Sequence, residues 1–252
     1  MAVDSAVFPM AAFNATPQFE AENTRMTLMA GDTLEVRVIN NDSLEHSFQI
    51  KDKSAQQTIG PGDSILISAH FTQGDEAFIY HDPLAFPRMT AFGLGGLIHV
   101  RANNLNAFYW NIKEFQKAWA QQHAVGASVD WSTYYPDYFT INGRSNPHIN
   151  EDASARIFGG VGETLRVVIA NTGQSIHSLH FHGYHAKIVY SSEHPVHVGR
   201  SKDTFPLKAM ELIILEIIPD KPGEYPVHDH NLVAVSAGSI YPNGMFLTML
   251  IQ

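Results

Sequence analysis

The pattern of the chain is one of short apolar, β-branched runs separated by polar turns, with helical spacing in one place only. The run Gly31-Asp32-Thr33-Leu34-Glu35-Val36-Arg37-Val38-Ile39-Asn40 reads as a strand entered through a Gly-acidic turn. A polar turn follows, then a second strand starting near His46. The same pattern returns as Gly162-Glu163-Thr164-Leu165-Arg166-Val167-Val168-Ile169-Ala170-Asn171, at an offset of 162 − 31 = 131. That offset also carries His46-Ser47-Phe48 onto His177-Ser178-Leu179. Two homologous all-β units follow from this repeat.

Later in each copy an aromatic or Val strand ends in His-Asp, as Phe78-Ile79-Tyr80-His81-Asp82 and Tyr225-Pro226-Val227-His228-Asp229. Each copy closes on an apolar strand, Gly96-Leu97-Ile98-His99-Val100 and Met245-Phe246-Leu247-Thr248-Met249-Leu250. Between the copies, Ile112, Phe115 and Trp119 stand at roughly helical spacing, which predicts one short connecting helix over Asn111 to His123. The stretch Trp131 to Gly143 opens the second unit with a strand and an Asn-Gly turn. The expected organisation is residues 1–101, a linker over 102–130, and residues 131–252.

Composition narrows the chemistry. The 252 residues carry 16 Lys and Arg against 25 Asp and Glu, for a net charge of −9 without a basic run that could track a phosphate backbone, so nucleic acid is not the expected partner. No apolar stretch approaches the roughly 20 residues that span a bilayer, and Met1-Ala2-Val3-Asp4 lacks the pattern of a signal peptide. The chain has no cysteine, which excludes disulfides, thiolate metal sites and thiol catalysis. It has 14 histidines, and any site for a transition metal must rely on their nitrogens.

The histidines gather in two short motifs. His177, His180 and His182 lie in H-S-L-H-F-H-G, and His228 and His230 in a second H-x-H. An extended strand sends alternate residues to one face, so each H-x-H pair can present both imidazoles together. Several neutral imidazoles in one place call for a cation, with copper the leading candidate and zinc the alternative. His123, His148, His185, His194 and His197 lack such pairing and are expected in loops or at the surface, and Met245 in the core.

On these motifs the chain resembles the two-domain multicopper oxidases and copper nitrite reductases. H-S-L-H-F-H-G is similar to their H-P-x-H-L-H-G, Val227 to Leu232 to the H-C-H and H-N-L stretches, and Tyr80-His81-Asp82 to the first-domain Y-H-C or Y-H-S-H segment. The resemblance implies two tandem cupredoxin-like Greek-key β-barrels or sandwiches. It also implies metal ligation by His81, His180, His182, His228 and His230, an acid–base role for His182, and a homotrimer with copper between subunits. In such proteins a periplasmic or secreted location is usual.

The departures from that family are equally specific. Asp82 and Asp229 stand where its blue-copper cysteine would be, and Ala234 and Ser239 where the downstream His and Met would be. Gln49 and Lys51 replace the first-domain H-x-H pair. His46 with Asp82, and His177 with Asp229, are therefore read as hydrogen-bonded pairs filling vacated blue sites, with weak metal binding by His46 and His177 as the alternative. The expected function is a copper oxidoreductase that meets dioxygen, a nitrogen oxide or a reducing organic molecule directly at a histidine-only site, with His182 or Asp229 moving protons. Copper sequestration and zinc-dependent hydrolysis are the competing readings.

Overall fold

A computed structural model of the protein describes residues 6–252; the opening Met1-Ala2-Val3-Asp4 lies outside them. The first unit is built from β1 (Met26–Met29), β2 (Thr33–Ile39), β3 (His46–Ile50), β4 (Gln57–Ile59), β5 (Ser64–His70), β6 (Glu76–His81), the short helix α1 (Arg88–Phe92) and β7 (Gly95–Arg101). Then come β8 (Asn106–Phe115), helix α2 (Lys117–Ala124), β9 (Tyr138–Ile141), β10 (Phe158–Gly159), β11 (Leu165–Asn171) and β12 (His177–Phe181). The chain ends with β13 (Ala186–Ser191), β14 (Ser201–Lys202), β15 (Thr204–Leu207), β16 (Leu212–Ile217), β17 (Gly223–Asp229) and β18 (Phe246–Ile251).

The repeat seen in the sequence is a repeat of topology. One five-stranded sheet runs β1-β7-β6-β3-β4, and another runs β10-β18-β17-β12-β15. Each strand of the first has its counterpart at the same place in the second. Against these pack β2 with β5 in the first unit, and a six-stranded sheet β14-β13-β16-β11-β8-β9 in the second. Each unit is a sandwich with its own core, around Phe48, Ile50, Phe71 and Tyr80 in the first and Trp110, Phe181, Val227 and Leu247 in the second. The all-β, tandem cupredoxin-like fold is as expected.

The connecting segment differs from the expectation. Ile112 and Phe115 lie on β8, a ten-residue strand that pairs in parallel with β11, and only Trp119 lies on the helix, which begins at Lys117. Helical spacing misled here because Phe108, Trp110 and Ile112 share one buried face of a strand, and pairing with β11 outweighs local spacing. The Asn-Gly turn after β9 forms as read: Asn142 and Gly143 both take positive φ, 53° and 71°, and Ile141 and Arg144 bridge across it.

The two units meet through a third apolar cluster. Ala77, Ile79 and Leu97 from the β6–β7 face pack on Tyr109, Val168, Ala170, Leu212 and Ile214 of the second unit. This explains a contrast between the repeated strands. β2 alternates exposed and inward residues, whereas every residue of β11 is buried, because its second face lies against the first unit. Among the described residues no helix is long and apolar enough to cross a membrane.

Candidate metal centre

The two-residue period of β12 and β17 sorts their side chains. His177, Leu179 and Phe181 point into the core with Val227 and Asp229, all of them buried. His180, His182, His228 and His230 take the alternate positions and line the outer face, half-buried or exposed. His180 pairs directly across from His228, and His230 donates its backbone N–H to the Ser178 carbonyl, so both H-x-H motifs are in register.

The four rings form one patch with His180 in the middle. Its ring centroid lies 4.6 Å from that of His182, 5.8 Å from His228 and 5.7 Å from His230. Local hydrogen bonds set two of the tautomers. The Nδ1 of His228 donates to the Asp229 carbonyl at 2.8 Å. The Thr204 hydroxyl donates to Asp203, leaving its oxygen to accept from Nδ1 of His180 at 2.9 Å. Both rings therefore turn Nε2 lone pairs outward, the arrangement in which an outer partner orients a metal-binding imidazole.

The Nε2 atoms of His182 and His228 are 3.0 Å apart. Imidazole nitrogens sit about 2.0–2.1 Å from a bound ion, so this is a separation that two ligands of one ion adopt. With the His228 proton on Nδ1, its Nε2 accepts from the Nε2–H of His182, and a bound ion would displace that proton. Burial and the neighbouring His180 and His228 lower the pKa of His182, favouring the neutral, ligating form. Among the described residues no three His, Asp or Glu side chains close around a single point. One chain thus offers an open patch in which two imidazoles, His182 and His228, stand at ligand spacing, short of a complete site.

Directly beneath the patch lies a buried chain of one histidine between two carboxylates. His177 donates from Nδ1 to Asp229 at 2.6 Å and from Nε2 to Glu114 at 3.0 Å, all three side chains fully buried. The other Asp229 oxygen accepts from the backbone of Ser178 and Asn231. Burial alone would lower the His177 pKa, but the two carboxylates outweigh it and raise it to about 9. Glu114 falls to about 2 despite its burial, held by His177, the backbone of Gln174 and Tyr134.

The hydrogen-bonded pairs read for His46 with Asp82 and His177 with Asp229 are formed, and what differs from the expected site is the place of Asp229. His177 has no free lone pair for a metal, since both nitrogens serve carboxylates. Asp229, expected to move protons beside the metal, faces the core because it sits one residue out of phase with His228 and His230. His46 repeats the arrangement in the first unit, bonded to Asp82 at 2.8 Å and Asp42 at 3.2 Å, which raises its pKa. It too is the hydrogen-bonded pair, not the ligand. The sequence reading missed Glu114, although the alternation of β8 puts it in phase with the inward-facing Phe108, Trp110 and Ile112.

His81 faces the second unit with only 6% of its surface exposed, and its buried Nδ1 has no hydrogen-bond partner. Burial drives its pKa down to about 4, so it is neutral. His123, expected in a loop or at the surface, is buried in α2, its ring against Phe92 and its Nδ1 accepting from Arg88. His185 and His194 are exposed and Met245 is in the core, as expected.

Comparison with known proteins agrees on the fold. Residues 126–247 match the multicopper oxidase family profile. The fold is similar to that of a blue copper oxidase from Nitrosomonas europaea, with TM-score 0.78 and 20% identity over 91% of this chain and 76% of that one. The multicopper oxidase mgLAC gives TM-score 0.77 and 21% identity over 91% and 77% of the two chains. The copper nitrite reductase of Nitrosomonas europaea gives 0.72 and 19% over 92% and 83%. No curated protein sequence matches. The chain has the tandem cupredoxin fold of the two-domain multicopper oxidases and copper nitrite reductases, carries the multicopper oxidase match in its second half, and lacks the cysteine of a blue copper site.

Proposed function

We propose that the His180, His182, His228 and His230 patch binds copper and that the protein is an oxidoreductase whose small-molecule substrate meets that copper directly. The observation that carries this reading is the convergence of two in-register H-x-H pairs with outward Nε2 lone pairs and 3.0 Å between two of them. Imidazole-only donor sets suit copper and zinc alike, and the relatives named above favour copper. Copper would supply one-electron chemistry. His182, the exposed member of the 3.0 Å pair, is the residue placed to hold or release a proton at its Nε2.

The patch is open, and its sheet face is the counterpart of the face that in the first unit is covered by the second. This supports a homotrimer in which a neighbouring copy covers the patch and supplies the missing ligands, a head-to-tail contact that closes into a ring. Sedimentation of metal-replete protein as a trimer is expected; a metal-replete monomer would remove this part of the proposal.

Elemental analysis after growth with copper and zinc, joined to electron paramagnetic resonance and assays of phenol oxidation and nitrite reduction, tests the whole reading. A type 2 copper signal with turnover is the expected result. The same signal without turnover would identify a copper-sequestering protein, a reading favoured by the missing cysteine relay, and zinc in its place would point to hydrolysis. His230→Ala should weaken copper binding by about tenfold or more, worth about 1.4 kcal/mol, whereas His185→Ala should leave it unchanged.

A further inference from the structure

The first unit leaves open a strand edge that the second unit fills. β11 has a neighbour on each side, β16 antiparallel and β8 parallel. Its counterpart β2 pairs with β5 alone, and the two make a sheet of their own. The bonds from Phe71 N–H to the Asp32 carbonyl and from Asn40 N–H to the Asp63 carbonyl fix the phase of that ladder. By alternation the even residues of β2 bond to β5, while Thr33, Glu35, Arg37 and Ile39 turn their N–H and C=O groups to the open edge. The edge also leaves apolar side chains incompletely covered: inward-facing Leu34 and Val36 are only partly buried, whereas the matching Leu165 and Val167 are wholly buried. Charged side chains on an edge commonly serve to keep other strands away. Here they are of opposite sign, Glu35 and Arg37, on a strand with no proline and no break in its register with β5.

We propose that β2 is a self-association edge, which takes β2 of a second copy of this chain antiparallel about a two-fold axis at Val36. The phase of the ladder restricts the register, because the residues whose backbone groups face the edge must form the hydrogen-bonded pairs. Centred on Val36, the pairs are Thr33 with Ile39 and Glu35 with Arg37, each occurring twice by symmetry. They supply about eight backbone hydrogen bonds between the copies, two for each of four pairs. Registers centred on Glu35 or on Arg37 also use the free groups, but each sets like charges directly opposite, which is unfavourable. The charges therefore select one register instead of blocking all of them. On the inner face Val36 meets Val36 and Leu34 meets Val38, covering the apolar groups that one copy leaves partly open. The contact uses the same surface on both copies and closes on itself. It belongs to the first unit and is independent of the histidine patch, so it doubles whatever assembly the patch forms.

Analytical ultracentrifugation of the whole chain without added metal, over a wide range of concentration, tests this. The expected result is a concentration-dependent doubling of mass, from monomer to dimer or from trimer to hexamer. Glu35→Arg and Arg37→Glu should each weaken the doubling by about tenfold in Kd, since each turns two cross-strand attractions into repulsions. Mixed one to one, the two variants should associate as tightly as the wild type, because a basic edge then meets an acidic one. Both side chains are exposed, so neither change removes a core contact, and circular dichroism confirms that the variants are folded. Amide hydrogen exchange locates the contact: Thr33, Glu35, Arg37 and Ile39 should exchange fast in dilute protein and slowly in concentrated protein, while Leu34, Val36 and Val38 exchange slowly in both. Absence of doubling at every concentration overturns the proposal, as does doubling at full strength in both single variants. Protection of the four edge amides in dilute protein also overturns it, since another part of the chain would then cover β2.

Discussion

The two units share one scaffold and divide the chemistry unequally. Where the second outer sheet carries His180 and His182, the first carries Gln49 and Lys51, at the same offset of 131; where it carries His228 and His230, the first carries His81 and Pro83, 147 residues earlier. The buried His–Asp pairs, in contrast, are built alike. Asp82 accepts from His46, from the Ser47 backbone and from Leu84 two residues on, just as Asp229 accepts from His177, Ser178 and Asn231. The lesson is that the inward positions follow the fold and the outward positions follow what covers them. The first outer face is packed on the second unit, where Lys51 bonds Glu193 and the Met210 carbonyl; the second outer face is open and holds the imidazoles.

The two buried histidines offer the strongest way to break this likeness. Their second partners differ: Glu114 is wholly buried, whereas the Asp42 side chain is 43% exposed. Removing His177 leaves two buried carboxylates without their cation, and His177→Ala should cost about 3–5 kcal/mol in denaturant unfolding. His46→Ala leaves one, since Asp42 can turn to water, and should cost about 1.5–3 kcal/mol. Equal losses would mean that the pairs are energetically equivalent after all.

Lys113 sharpens the contrast between covered and open faces. It projects from β8 toward Gly95 of the first unit, fully buried, with no partner for its Nζ, and burial lowers its pKa to about 7. Lys113→Met should therefore stabilise the protein, by about 1–4 kcal/mol on the experience of buried charges replaced by apolar groups. Loss of stability instead would reveal a partner for the amine that the single chain does not provide.

A smaller effect separates the units by pH. The folded pKa of His177, about 9, lies above its unfolded value near 6.5, so its contribution is fully present below about pH 6.5 and is lost as pH rises through about 9. Glu114 works in the opposite sense: depressed to about 2, it stabilises above about pH 4.5 and loses this as pH falls through about 2. The stability difference between wild type and His177→Ala, from unfolding midpoints, should shrink between about pH 6.5 and 9. Smallest of all, Lys51→Ala removes a partly exposed ion pair to Glu193 and should cost about 0.2–1 kcal/mol.

Much of this was legible beforehand in particular residues. The run from Gly31 to Asn40 and its echo from Gly162 to Asn171 announced two like units, and H-x-H spacing on a strand announced two same-face pairs. The absence of cysteine announced that any metal would be held without sulfur from a thiolate. Legibility failed where a long-range partner decided the outcome: β8 became a strand because β11 offered an edge, His123 became buried because α2 packs on Phe92, and Asp229 turned inward because its neighbours turned outward.

By itself the sequence determined what is local and periodic, namely strands from β-branched runs, alternating faces, a tight Asn-Gly turn and the absence of sulfur donors. Those depend on backbone sterics and on residue identity, which are readable one segment at a time. Only the tertiary structure decided that His180 meets His228, that Glu114 closes on His177 across 63 residues, and that one outer face is covered while its twin is open. Such pairings depend on which surfaces exclude water together, a property of the whole folded chain that no single stretch contains.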